Sequence, residues 1–234
     1  MGRFLAREVT MDGKFAGRGP DGSAGGDDEG HVELSAPLAA ARRGGLELRG
    51  GVGTVAIRAD PALALRYRAR VEGARPEVAT SGDATVIRLR WPLRNPGLEW
   101  RRRRVEVALN PSIPWEVRVH GGASTLRLDL AAGGLEAFEL LGGVGDAELV
   151  LPRPLGEIGL RFFGGARRVW VRRPAGVPVR LRVDGAGRVD LDRQRFGMVA
   201  GSMRFEPPAF VAAGDRYDLH LVGGVGRLVV EPHP

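Results

Sequence analysis

The chain has 234 residues, 43% hydrophobic but only 6% aromatic, with 36 glycines and 16 prolines, a balance that allows a sizeable aliphatic core joined by many tight turns. It contains no cysteine, which excludes a disulfide framework and a thiolate metal site. Its net charge of +7 rests on 34 arginines and one lysine; residues 1–30 carry four basic and six acidic side chains, leaving +9 on the remainder.

From the start, MGRFLAREVTMDGKF lacks the apolar stretch of a signal peptide, and no later apolar run reaches the roughly 20 residues of a membrane span. Taken alone the chain reads as soluble and cytoplasmic. FLAREV (4–9) is long enough for one helical turn and too short to stand alone in water. Gly17 to Gly30, GRGPDGSAGGDDEG, offers nothing apolar to offset the entropy of ordering it. Residues 1–30 are therefore expected to be a disordered tail and 31–234 a single β domain.

From His31 onward short runs of period two take over: HVELSA, LELR, TVAIRA, ATVIRLRW, VEVAL, WEVRVHG, TLRLDL, AELVL, RVWV, VRLRV, RVDLD, YDLHLVG and RLVVEP. Only the stretch from Pro61 to Arg70 could pass for either helix or strand. The fold class is all-β. Gly-Gly pairs that run into a strand recur as GGVGTVAI (from Gly50, Gly51), GGASTLRL (Gly121, Gly122), GGVGDAEL (Gly142, Gly143), GGARRVWV (Gly164, Gly165) and GGVGRLVV (Gly223, Gly224), with DGAGRVDL around Gly185 and SGDATVIRL from Ser81 as variants. From Gly121 the spacing is close to 21 residues, the signature of a single-domain β-solenoid whose units bury their apolar faces by stacking.

Such glycines could instead cradle a phosphate. A phosphate loop works by opening a helix, whose free N–H groups face the anion. Here every copy opens a strand, so these glycines read as tight corners where backbones approach closely, Gly143 and Gly165 included.

The runs PSIPWEVRVHGGASTLRLDL, LEAFELLGGVGDAELVLPRP and GEIGLRFFGGARRVWVRRPAGVPVRLRVDGAGRVDLD resemble the β-helical Toastrack domain of LiaF-like, cell-wall-active antibiotic response proteins, which is related to adhesin-like β-helices. The likeness rests on Pro111 and Pro114, the LDL after a Gly-Gly corner, GVGDAELVLP, and the segment Pro174 to Arg180, and extends to RFGMVAGSMRF and DRYDLHLVGGVGRLVV as closing rungs. It implies a non-enzymatic regulatory or stress-sensing module linked to the cell envelope.

Side chains that could carry chemistry are sparse. His31, His120, His220 and His233 are isolated, without the spacing of zinc ligands. Asp129, Asp146, Asp190 and Asp192 could in principle form a hydrolytic or calcium-binding cluster on a solenoid flank. They recur as part of the repeat, however, and are expected to be solvated. None of the six serines sits in a nucleophile elbow. No catalytic residue, cofactor or metal is expected.

WPLRNPGLEWRRRRVEVAL, from Trp91 to Leu109, breaks the repeat. Arg88, Arg90, Arg94, Trp100, Arg101, Arg102, Arg103 and Arg104 form a basic, Trp-flanked stretch that fits a protruding hairpin. It is the expected partner-binding site, for an acidic or membrane-associated protein or an anionic membrane surface. Nucleic acid is disfavoured because the aromatics do not recur as a stacking platform. Two function classes follow, a regulatory interaction module and a self-assembling adhesin-like solenoid. Pro232 and Pro234, lacking N–H donors, are expected to blunt a terminal edge and favour the module.

Overall fold

The computed structural model describes residues 31–73, 75–81, 84–90, 103–208, 210 and 214–233. The tail, with FLAREV and the acidic linker, lies outside the described residues, as does Pro234. Among those residues the chain is all strand and turn. In chain order the strands are β1 (His31–Pro37), β2 (Gly44–Arg49), β3 (Val52–Ala59), β4 (Leu65–Glu72), β5 (Arg75–Ser81), β6 (Ala84–Arg90), β7 (Arg104–Leu109), β8 (Trp115–His120) and β9 (Ala123–Asp129). They continue as β10 (Leu135–Leu141), β11 (Val144–Val150), β12 (Glu157–Phe163), β13 (Ala166–Pro174), β14 (Val179–Leu191), β15 (Gln194–Phe196), β16 (Val199–Phe205), β17 (Arg216–Val222) and β18 (Val225–His233). The ambiguous LALRYRAR stretch is a strand, with Tyr67, Ala69 and Val71 turned into the core.

Two strands joined at a Gly-Gly corner make one rung, and rungs stack by parallel pairing. The first strands run β6, β2, β8, β10, β12, β17 and the first part of β14. The second strands run β7, β3, β9, β11, β13, β18 and the rest of β14. Alternation along the rung strands sends Val, Leu, Ile and Phe inward, and the stacking joins them into one continuous apolar core. Phe138 and Phe162 meet across neighbouring rungs with centroids 5.5 Å apart.

The regular spacing covers only the middle of the stack. Arg118 faces Glu139 21 residues on, and Asp146 faces Arg168 22 residues on. Beyond that the order breaks. The rung of β17 and β18 lies between β12/β13 and β14, so the chain makes the outer rung before the inner one. At the other end β2/β3 likewise precede β6/β7 in sequence but lie inside them. DRYDLHLVGGVGRLVV is thus a closing segment in sequence and an interior rung in space. Pro232 pairs with Arg173 within the stack, so it does not blunt an edge. The stack ends instead on antiparallel strands: β15 and β16 against β14 at one end, and at the other β5 against β6 and β4 against β7, with β1 antiparallel beyond β4.

At the corner the first glycine of each pair carries the strain. Gly50, Gly121, Gly142, Gly164 and Gly223 all have φ between +106° and +140°. Their amides keep the cross-rung ladder going: Gly121 donates to Leu141 at 2.9 Å, Gly142 to Phe163 at 2.8 Å and Gly164 to Val222 at 2.9 Å. A Cβ on Gly142 would lie 2.6 Å from the Gly121 carbonyl oxygen, and one on Gly164 2.6 Å from that of Gly142. The second glycines differ: on Gly143 and Gly165 a Cβ would sit 3.6 and 3.5 Å from the nearest atom, an ordinary separation. The tight position is therefore the first glycine, not Gly143 or Gly165. In the GVG sequence the last glycine has its own task, since a Cβ on Gly145 would collide with the Ser124 carbonyl.

Replacing Gly142 with alanine is expected to cost on the order of 2 kcal/mol or more, from positive φ and collision with the next rung. That corresponds to a melting midpoint lower by roughly 4–8 °C for a chain of this size. Gly143→Ala is expected to shift it far less. Thermal unfolding of the two variants side by side checks the assignment, and equal midpoints would contradict it.

Candidate interaction surface

Each rung presents alternate residues outward, so the surface is built from columns of polar side chains running across strands. Of the basic stretch singled out in the sequence, Arg88, Arg90, Arg103 and Arg104 are among the described residues, and they lie at one end of this array. Arg88 is exposed on β6, in register with Arg49 and with Glu77 of β5, and Arg90 occupies the last position of β6 opposite Arg75. Arg104 is exposed and pairs with Glu106 at 3.4 Å. Arg103 is different. It is buried, with its stem against Gly73, whose Cβ would lie 3.2 Å from Arg103 Cγ. The four arginines therefore do not form one basic face. Trp91, Arg94, Trp100, Arg101 and Arg102 lie outside the described residues.

Connectivity gives this stretch a distinct position. β6 stacks on β2 and β7 on β3, and β2 and β3 meet at the Gly50-Gly51 corner. Residues 91–103 thus connect the two strands of an outer rung, where the rungs of β2/β3, β8/β9, β10/β11, β12/β13 and β17/β18 carry a Gly-Gly corner and β14 bends at Gly185.

Three of the four aspartates considered as acids or metal ligands, Asp146, Asp190 and Asp192, are held by arginines. Asp146 accepts from Arg168 Nε at 2.9 Å and also pairs with Arg167. The Arg168 hydrogen bond, with both charges adding to it, keeps this carboxyl below the usual range. Asp190 accepts from Arg188 Nε at 3.1 Å and from Arg227 Nη2 at 2.9 Å. Desolvation works against its ionised form, and the hydrogen bonds from Arg188 and Arg227 outweigh it, leaving its carboxyl lowered. Asp192 receives two hydrogen bonds from buried Arg173, at 2.7 and 2.9 Å, and Asp129 accepts from the Ala131 amide at 3.3 Å. Among the described residues no group of three or more His, Asp or Glu is placed to hold a metal ion. Likewise, no described helix is long and apolar enough to cross a membrane.

Arg167, Arg168, Arg188 and Arg227 were not singled out as a group in the sequence. Their signal is present in GGARRV, GAGRV and GVGRL, where an arginine follows each corner at the same place in the unit.

A second network fastens the inserted rung. Asp218 on β17 is buried and accepts from Arg180 of β14 at 3.0 and 2.8 Å. Burial alone would raise its pKa, but the Arg180 hydrogen bonds and the charges of Arg180, Arg182 and Arg161 prevail and lower it. Arg180 also reaches Glu157 at 3.3 Å, and Arg180 and Arg216 lie 4.5 and 5.0 Å from the Phe210 ring centroid. The buried Tyr217 hydroxyl donates to the Pro152 carbonyl at 2.5 Å, tying β17 to the segment between β11 and β12.

The family model described as the N-terminal domain of toast_rack, DUF2154, matches residues 24–157, more than half of the chain. No curated protein matches. Among solved structures, "a putative cell adhesion protein" from Clostridium sporogenes superposes with a TM-score of 0.65 at 16% identity, covering 87% of this chain and 99% of its own. That likeness shows the fold. "A putative adhesin" from Bacteroides fragilis, at 9% identity and a TM-score of 0.27 over 86% of this chain and 95% of its own, carries no argument.

The matched region stops at the start of β12, and the inserted rung of β17 and β18 lies beyond it in the chain. Asp218→Asn removes the charge that holds Arg180 and is expected to cost about 3 kcal/mol at neutral pH. Because the folded pKa of Asp218 is lowered, its contribution is present above the ordinary carboxylate range and fades as pH falls through the folded value. Denaturant unfolding of wild type and variant across acidic pH should show a gap that narrows on acidification. A gap independent of pH would contradict the pairing.

Proposed function

The chain belongs to the toast_rack family, and from that premise we propose that it is a non-enzymatic interaction module serving cell-envelope stress sensing, working on the cytoplasmic side and reaching the membrane through a partner. The observation that carries this reading is the position of the basic stretch. Residues 91–103 join β6 to β7 in the chain, and exposed Arg88 and Arg104 stand on those two strands. Such a site suits an acidic protein partner, since arginine forks match carboxylates. The non-enzymatic reading is supported by the aspartates at Asp146 and Asp190, whose carboxylates are ionised and occupied by arginines rather than poised to exchange protons.

A second reading, an adhesin-like solenoid that self-assembles, is favoured by the fold shared with the Clostridium sporogenes protein. Against it stand the terminal strands. β5 carries Pro76 and charged Arg75 and Glu77, and β16 carries Gly201 at φ +91°. Both features discourage edge-to-edge addition.

Changing Arg101, Arg102 and Arg104 to glutamine while keeping buried Arg103 is expected to abolish capture of an acidic partner from envelope extracts, with an unchanged melting midpoint. Sedimentation velocity across a range of concentrations should show one species. Capture undiminished in the triple variant would remove the basic stretch from the interface, and concentration-dependent polymers would favour the adhesive reading.

A further inference from the structure

The parallel register places Arg168 of β13, Arg227 of β18 and Arg188 of β14 opposite one another on three successive rungs. Neighbouring strands lie about 4.8 Å apart, so three guanidinium-bearing side chains recur at that step along the stacking direction. Arg167 and Arg195 flank this row. Their five positive charges face two carboxylates, Asp146 and Asp190. The row arginines remain about half exposed, at 51% for Arg168, 46% for Arg188 and 52% for Arg227.

The carboxylates fix the row without exhausting it. Arg168 uses Nε on Asp146, Arg188 uses Nε on Asp190, and Arg227 uses Nε and Nη2 on Asp190. A guanidinium has five N–H donors, so each side chain is oriented at one end and keeps donors for a further anion. Ordering before binding reduces the entropy that a ligand must overcome. On the same outer face of β13, two residues from Arg168, stands half-buried Trp170. Its indole N–H donates to Glu231 at 2.9 Å and its ring lies 4.7 Å from the Arg172 guanidinium carbon.

We propose that this face, the Arg168–Arg227–Arg188 row with Trp170 beside it, binds an acidic polysaccharide. The charge spacing suits a linear chain carrying carboxylates at regular intervals, and a fixed indole offers an apolar body for a sugar ring. A bilayer fits less well. The exposed large apolar side chains among the described residues are Val32, Val78, Leu155, Phe163 and Met198, and none lies on β13, β14 or β18 to enter the lipid. Nucleic acid fits less well too, because a single tryptophan is not a recurring base-stacking platform. This site is separate from residues 91–104, and each can fail without the other.

The test uses the full chain with polygalacturonate, and with neutral dextran as control, in affinity electrophoresis and calorimetry. Wild type should bind polygalacturonate and not dextran, with affinity falling as salt is raised. The Arg168→Gln, Arg188→Gln, Arg227→Gln triple variant should bind at least about tenfold more weakly, the loss expected from even one charge-assisted contact, with its circular dichroism unchanged. Trp170→Leu should weaken polygalacturonate binding while leaving the salt dependence intact. The Arg101, Arg102, Arg104 variant should bind polygalacturonate as wild type does. No binding by wild type, equal binding by the row variant, or tighter row-dependent binding of phosphatidylglycerol vesicles or single-stranded DNA would overturn the proposal.

Discussion

The close approach of backbones at the corners is the constraint on which this structure depends. Each rung must turn from its first strand to its second while staying hydrogen-bonded to the rungs on either side, and the amides of Gly50, Gly121, Gly142 and Gly164 maintain that ladder through the bend. Only a residue without a side chain can do this, because a Cβ at Gly142 or Gly164 would enter the carbonyl of the neighbouring rung. Once the corners are aligned, the strands on both sides are in fixed register. One shared register then decides both the core and the surface.

Register makes neighbours of residues distant in sequence, and it does so by type. Inward, Leu46, Val117, Phe138, Leu160, Leu219 and Leu181 form one column of the core. Outward, the column Asp146, Arg168, Arg227, Arg188 places one acid beside three bases. A stacked fold concentrates whatever its repeat repeats. An arginine kept after successive corners becomes a cationic line, and the aspartates nearby hold it in place at little cost because the pairs stay partly solvated.

Much of this was legible in the sequence. Period-two alternation gave strands such as LELR and TLRLDL, and the recurring Gly-Gly pairs gave the corners. The distinction within each pair was not, since Gly142 and Gly143 look alike until φ is known. Rung order was hidden too. Nothing in DRYDLHLVGGVGRLVV says that it stacks on β12 and β13 rather than beyond β14, because every inward column offers similar aliphatic partners. Arg103 was misread for a related reason: in a run of four arginines, alternation shows that one pair points differently without showing which, and contact with Gly73 settles it. The arginine row could have been found by aligning the units on their corners and reading the residue after each. That requires treating the glycines as markers of register as well as turns.

The interior position of β17 and β18 has a consequence for how the chain reaches its native state. Residues 179–191 form the outer rung, yet the strands they dock against lie at 216–233 and are made later. During synthesis, stacking can proceed through β12 and β13 and must then pause, with the Phe162 and Val171 columns open, until the inner rung is available. Closing it joins contacts separated by 38 and 61 residues, as between Arg180 and Asp218 or Trp170 and Glu231. Such long loops slow folding, because their closure entropy is paid before the contacts form. The half of the stack that carries the arginine row is thus the last to assemble, and a nascent chain acquires that charged face only in its final step.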